Sequence, residues 1–104
     1  MTHAAWISSR RPAAPERLVA RVRAEFDANP SWAALSTTEA LLLAGESLLR
    51  AVLAEGQGLA RASALDLLAA DACVTWAFEA AADSPERLSM QASDAVRRIA
   101  EVAA

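Results

Sequence analysis

Apolar positions along this chain recur at helical spacing in four stretches, each bounded by residues that start or stop helices. Leu18, Val19, Val22 and Phe26 fall on one stripe at about 100° per residue, which predicts a first helix from Pro15 to Asp27. Pro15 suits the first helical position and Glu16 the positive end of the helix dipole. Pro30 pushes Asn29 out of the helical region and ends the run. Arg17 and Arg21 flank the stripe, and Arg21 pairs with Glu25 one turn on. Trp32 and Leu35, in the linker that follows, are expected to cover one end of the core.

The second helix has the clearest start. Ser36-Thr37-Thr38-Glu39 fits a capping box, with the Ser oxygen taking the N3 amide and Glu39 reaching back. The helix is expected to continue to Glu55 and stop at Gly56. Leu41, Leu42, Leu48, Leu49, Val52 and Leu53 form its apolar face. Gly45 sits near the middle of that face at a cost of about 1 kcal/mol in helix propensity, which the close approach of another helix would offset. Glu39, Glu46 and Arg50 fall opposite, as a solvated stripe.

A third helix follows Gly56-Gln57-Gly58, beginning near Leu59 or at Ser63, and runs to about Ala82. One side carries Leu67, Ala70, Val74, Phe78 and Ala81; the other carries Leu65, Ala69, Cys73, Trp76 and Ala80. A helix apolar on two sides belongs in the interior, or between its own bundle and a partner. The fourth helix is capped by Ser84 with Pro85 first. Its narrow stripe is Leu88, Ala92, Ala95, Ile99 and Val102, with Asp94–Arg98 and Arg97–Glu101 as pairs on the wet side. No stretch alternates with period two, so no strand is predicted. The expected fold is all-α: a small four-helix bundle with the third helix central. Residues 1–13 show no sustained period and contain Ser8-Ser9 and Pro12, so they read as a flexible N-terminal arm before a single domain, 14–104.

Composition narrows the core. Of 104 residues 28 are Ala, so about half of the 55% apolar content brings little volume; Leu, Ile, Val and Phe together number 23. One modest core is all that such a chain can bury, and a two-domain enzyme is excluded. All ten basic residues are Arg, which with so much Ala suggests a GC-rich, bacterial genome. Five of them, Arg10, Arg11, Arg17, Arg21 and Arg23, stand in the first 23 residues against Glu16 alone. The remainder holds five Arg and twelve acids, a surplus of seven negative charges.

The usual chemistries find few residues to carry them. A single Cys, Cys73, allows no internal disulfide, and a single His, His3, leaves no Cys/His metal cluster. Cys73 lies mid-helix among Ala, without the positive charge that makes a reactive thiolate, and reads as a small buried hydrophobe. His3 has no local partner and reads as solvated. Asp66, Asp71, Glu79 and Asp83 scatter around their helix, and the Glu-x-x-His of di-iron bundles is missing. Neither a Ser/His/Asp set nor a Gly-rich phosphate loop is present. The expectation is therefore no catalytic residue, no metal and no cofactor. Asp71, set in an apolar run, is the one unusual acid: a desolvated anchor for a ligand, or a boundary residue bonded to Thr75 or paired with an Arg. The fragment Ala70-Asp71-Ala72 with Ala77-Phe78-Glu79 resembles a helix of trans-prenyltransferases. The resemblance spans residues 70–79 alone, the aspartate-rich motifs that bind diphosphate in that family are absent, and no role is carried over.

No stretch reaches the roughly 18 apolar residues of a membrane helix. Arg10-Arg11 is followed by Pro12-Ala13-Ala14-Pro15, not by the apolar run of a twin-arginine signal, so a cytoplasmic protein is expected. A pI near 5.0 argues against nucleic acid as the partner. The leading expectation is a non-enzymatic helical interaction or accessory protein that self-associates, as a homodimer, through Leu67, Val74, Trp76, Phe78 and Trp6. Two alternatives stand beside it. One is a binder of a small apolar ligand held by Asp71. The other is a regulator whose Arg10, Arg11, Arg17 and Arg21 grip an acidic protein or nucleic acid.

Overall fold

The structure, a computed structural model, describes residues 1–54, 61–82 and 85–104, without the side chains of residues 61, 62 and 85–88. The expected Gly56–Gly58 hinge, the Ser84 cap and the Leu88 contact lie outside the described residues. Among the described residues five α-helices follow in order: α1 (His3–Ser8), α2 (Glu16–Ala28), α3 (Thr37–Ala54), α4 (Arg61–Ala81) and α5 (Pro85–Ala103). A 3-10 turn, Pro30–Ala34, joins α2 to α3. The fold is all-α, with no strand among the described residues.

The expected helices correspond to α2 through α5, but they are not four equal staves. The extensive contact is between α3 and α4, and α2 and α5 each lean on both members of that pair. Small residues mark the seam: Gly45 of α3 lies against Cys73, Val74 and the Ala70 carbonyl of α4, and Ala44, Ala69 and Ala77 are buried in the same core. Leu41 and Leu48 of α3 and Val22 of α2 add the large, fully buried side chains. Close approach of backbones replaces the volume that this Ala-rich chain lacks.

The ends of the helices follow from local chemistry. Ser36 Oγ accepts the Glu39 amide at 3.1 Å, as the capping box requires. Glu39 does not complete the box, because its carboxylate is taken by Arg98 of α5. Asn29, ahead of Pro30, stops α2 with φ −131° and ψ 67°. Trp32 packs on the core as expected, whereas Leu35 is exposed.

The first residues depart from the reading as a flexible arm. Thr2 Oγ1 accepts the Ala5 amide at 3.0 Å and caps α1, and Ile7 is buried in the core. Trp6 packs beside it, with the Arg10 guanidinium 4.0 Å above its ring. His3 is not merely solvated: Nε2–H donates to the Trp32 carbonyl at 2.9 Å, leaving Nδ1 to accept from the Thr37 hydroxyl at 3.2 Å. Six helical residues cannot hold themselves helical in water. These tertiary contacts hold them, and so short a segment leaves no period in the sequence.

At Gly45 the α3–α4 approach can be tested. A methyl group there would meet Cys73 Cβ and Val74 Cγ2 at 3.5 Å, ordinary contact distances. The close approach is real, yet it stops short of requiring glycine. Gly45→Ala is expected to raise stability by about 0.5–1 kcal/mol through helix propensity. Chemical denaturation will show this, and a loss of stability would mean that the seam is tighter than described.

Candidate interaction surface

Two half-buried arginines, each paired with a buried carboxylate, fix the helices that frame α4. On α2, Arg21 Nε donates to Asp66 Oδ1 of α4 at 2.7 Å, and Nη1 reaches Glu25 Oε1 at 3.0 Å. Ser47 of α3 donates to the other oxygen of Glu25 at 2.8 Å, so the cluster ties three helices together. Burial pulls the Arg21 pKa down, but the bonds and charges of Asp66 and Glu25 outweigh it and hold the guanidinium above its ordinary value. Arg21, expected to grip an external acidic partner, is thus engaged within the chain.

The second cluster centres on Arg98 of α5. Its Nε donates to Glu46, and its Nη1 to Glu39 at 2.8 Å and Asp94 at 3.4 Å. Here too burial opposes the charge, while Glu46 and Glu39 hold the Arg98 pKa above its usual value. Glu46, assigned by helical angle to a solvated stripe, is buried, because α5 lies across that side of α3. Neighbouring Arg97 stays outside, bonded to Asp94 at 2.6 Å and Glu101 at 2.8 Å. Its hydrogen bond, with a smaller one from Arg98, holds the Asp94 carboxyl below the usual range.

Held in this way, α4 shows two unlike faces. Toward the core it presents Ala69, Ala70, Cys73, Trp76 and Ala77. Away from it stand Leu67 (52% exposed), Leu68 (62%) and Phe78 (37%). Of the expected interface residues, Leu67 and Phe78 are therefore open, and Val74 is half-buried at the edge. Trp76 is buried at 7% exposure and Trp6 packs beneath Arg10, so neither offers its ring to a partner. Helical angle put Trp76 on a second apolar side of α4, and that side is packed into the core.

Open grooves run along both flanks of the exposed α4 ridge. One, of about 460 Å³, lies against α2 and includes Pro15, Leu18, Leu65, Leu68 and Arg17. On the α3 and α5 side, a groove of about 280 Å³ includes Leu49, Leu67, Val74 and Ile99. Asp71 borders both and is exposed, not desolvated. It bonds to neither Thr75 nor an arginine, and among the described residues neither side chain has a partner. Further along, Val96 of α5 (68% exposed) lies in a groove with Phe78 and Val74 and extends the apolar surface. Of the remaining arginines, Arg17 is exposed, and Arg11 is turned back onto the Ser8 and Arg10 carbonyls at 3.0 and 2.8 Å.

Among the described residues no group of three or more His, Cys, Asp or Glu could hold a metal ion, and no helix is long and apolar enough to cross a membrane. Cys73 is free and buried, and burial pushes its thiol up to about 12.

Two expectations follow. Arg98→Ala strands the buried Glu46 carboxylate and should cost about 3 kcal/mol in denaturant titrations, whereas Glu46→Leu with Arg98→Leu should recover most of that loss. For Cys73, an unfolded chain loses the thiol proton near about 8.5, well before the folded one, so stability carried by the neutral thiol falls as pH rises above that value. A thiol reagent at pH 8 should therefore modify Cys73 no faster than the protein unfolds; rapid modification of native protein would contradict its burial.

No protein-family model, curated protein or solved structure matches this chain, so its function has to be read from the surface just described.

Proposed function

We propose that this protein is a non-enzymatic helical interaction module that associates with a second copy of itself through the outer face of α4. One observation carries the reading: α4 turns its small residues inward and leaves Leu67, Leu68 and Phe78 in water. Large apolar side chains grouped on one helix face mark a surface that a partner covers.

A small apolar ligand anchored by Asp71 is the lesser reading. The grooves beside α4 are open along their length, and their shared carboxylate already faces water. An enclosed pocket would bury most of its ligand. The reading as an Arg-bearing regulator loses Arg21 to its ion pairs and Arg10 to Trp6.

Sedimentation equilibrium tests the proposal. The mass is expected to rise with concentration from 10.9 kDa toward twice that value. Leu67→Glu with Leu68→Glu should hold it at the monomer value with helicity unchanged, because both positions are exposed. Wild-type protein that stays monomeric throughout would overturn the reading.

A further inference from the structure

We infer that α4 meets the α4 of a second copy antiparallel, across a two-fold axis that passes between Asp71 and Thr75. This rests on the self-association proposed above and adds its geometry.

The inference comes from spacing. Ala64, Leu68, Asp71, Thr75, Phe78 and Ala82 are all exposed and follow at steps of 4, 3, 4, 3 and 4 residues. That alternation is the seam of two helices packed side by side, with a mean repeat of about 3.5 residues. The seam is also its own complement when reversed. Ala64 with Ala82, Leu68 with Phe78, and Asp71 with Thr75 share one midpoint, beside Cys73. A two-fold interface needs such a patch, because each surface must meet itself.

Antiparallel pairing places Leu68 on the partner's Phe78 and Asp71 against the partner's Thr75. Within the chain, among the described residues, neither the Asp71 carboxylate nor the Thr75 hydroxyl has a partner. Across the axis the hydroxyl donates and the carboxylate accepts, twice over. A parallel pair would set Asp71 against the partner's Asp71, a like-charge contact. A polar pair inside an apolar seam fixes register at some cost in affinity. At the rim, Leu65 and Ala72 border the α2 groove with Arg17, and Glu79 continues their stripe seven residues on. The reversed helix therefore carries the partner's Glu79 over Arg17, which adds a charge pair that favours this orientation.

Disulfide trapping tests the geometry. Protein carrying Leu68→Cys is mixed with protein carrying Phe78→Cys under mild oxidation, with the buried native Cys73 left in place. The inference expects covalent dimers between unlike chains. Like chains should yield none, because ten residues along each helix separate the two copies of either position by about 15 Å. Dimers between like chains would show a parallel pair and overturn the geometry. If wild-type mass doubles in solution but no trap forms, the partner sits elsewhere: the inference fails and the proposed function stands. A wild-type chain monomeric throughout would remove both. As a second readout, Thr75→Val removes two charge-assisted bonds per dimer and should weaken association about a hundredfold, with the monomer's melting unchanged. An unchanged dissociation constant would exclude the Asp71–Thr75 contact.

Discussion

The structure depends on the seam between α3 and α4, and the seam depends on the smallness of the residues in it. Gly45 lies against Cys73 and Val74, with Ala69, Ala70 and Ala77 buried along the same line. A chain in which about half of the apolar content is alanine cannot fill a wide space between helices. It can reach interior density by bringing two backbones close together. That solution uses up the small side of α4. Leu67, Leu68 and Phe78 then have nowhere to go but outward, and the apolar surface on which the functional reading rests follows from how the core was built.

What the seam does not hold, two arginines do. Arg21 joins α2 to α4 and, through Glu25 and Ser47, to α3; Arg98 ties α5 to α3. The uneven charge along the chain acquires a structural meaning here. Arg21 in the basic N-terminal segment pairs with Asp66 in the acidic body, so part of the apparent surplus is neutralised inside the molecule. Buried pairs of this kind add little stability over an apolar replacement, but removing one member is costly. They hold α2 and α5 at the flanks of α4 and so set the width of the grooves beside its exposed ridge.

Elements with large residues on one stripe, or with a strong cap, were legible in the sequence. Leu18, Val22 and Phe26 outlined α2, Asn29-Pro30 marked its end, and Ser36 marked the start of α3. Faces were harder to read on α4. There alanine surrounds the whole helix, hydropathy barely distinguishes one side from another, and the packed side is chosen by volume. Leu67 and Trp76, both read as interface residues, therefore part company: Leu67 is exposed and Trp76 is buried. Glu46 was misplaced for a related reason, since no pattern within α3 announces that Arg98, 52 residues later, will cover it. Helix α1 escaped because six residues show no period and its stability comes from contacts made by Ile7 and His3. Asp71 was visible as unusual, but its exposure was not.

On α4 a close-packed inner face stands back to back with an exposed apolar outer face, on which the proposed pairing rests. The most direct measurement of both is a dilution series followed residue by residue by NMR. The pairing predicts that signals of Leu67, Leu68, Asp71, Thr75 and Phe78 shift together as the protein is diluted, while Cys73, Ala77 and the Trp76 indole hold their positions. Shifts centred on another element, or a spectrum that does not change with concentration, would contradict it.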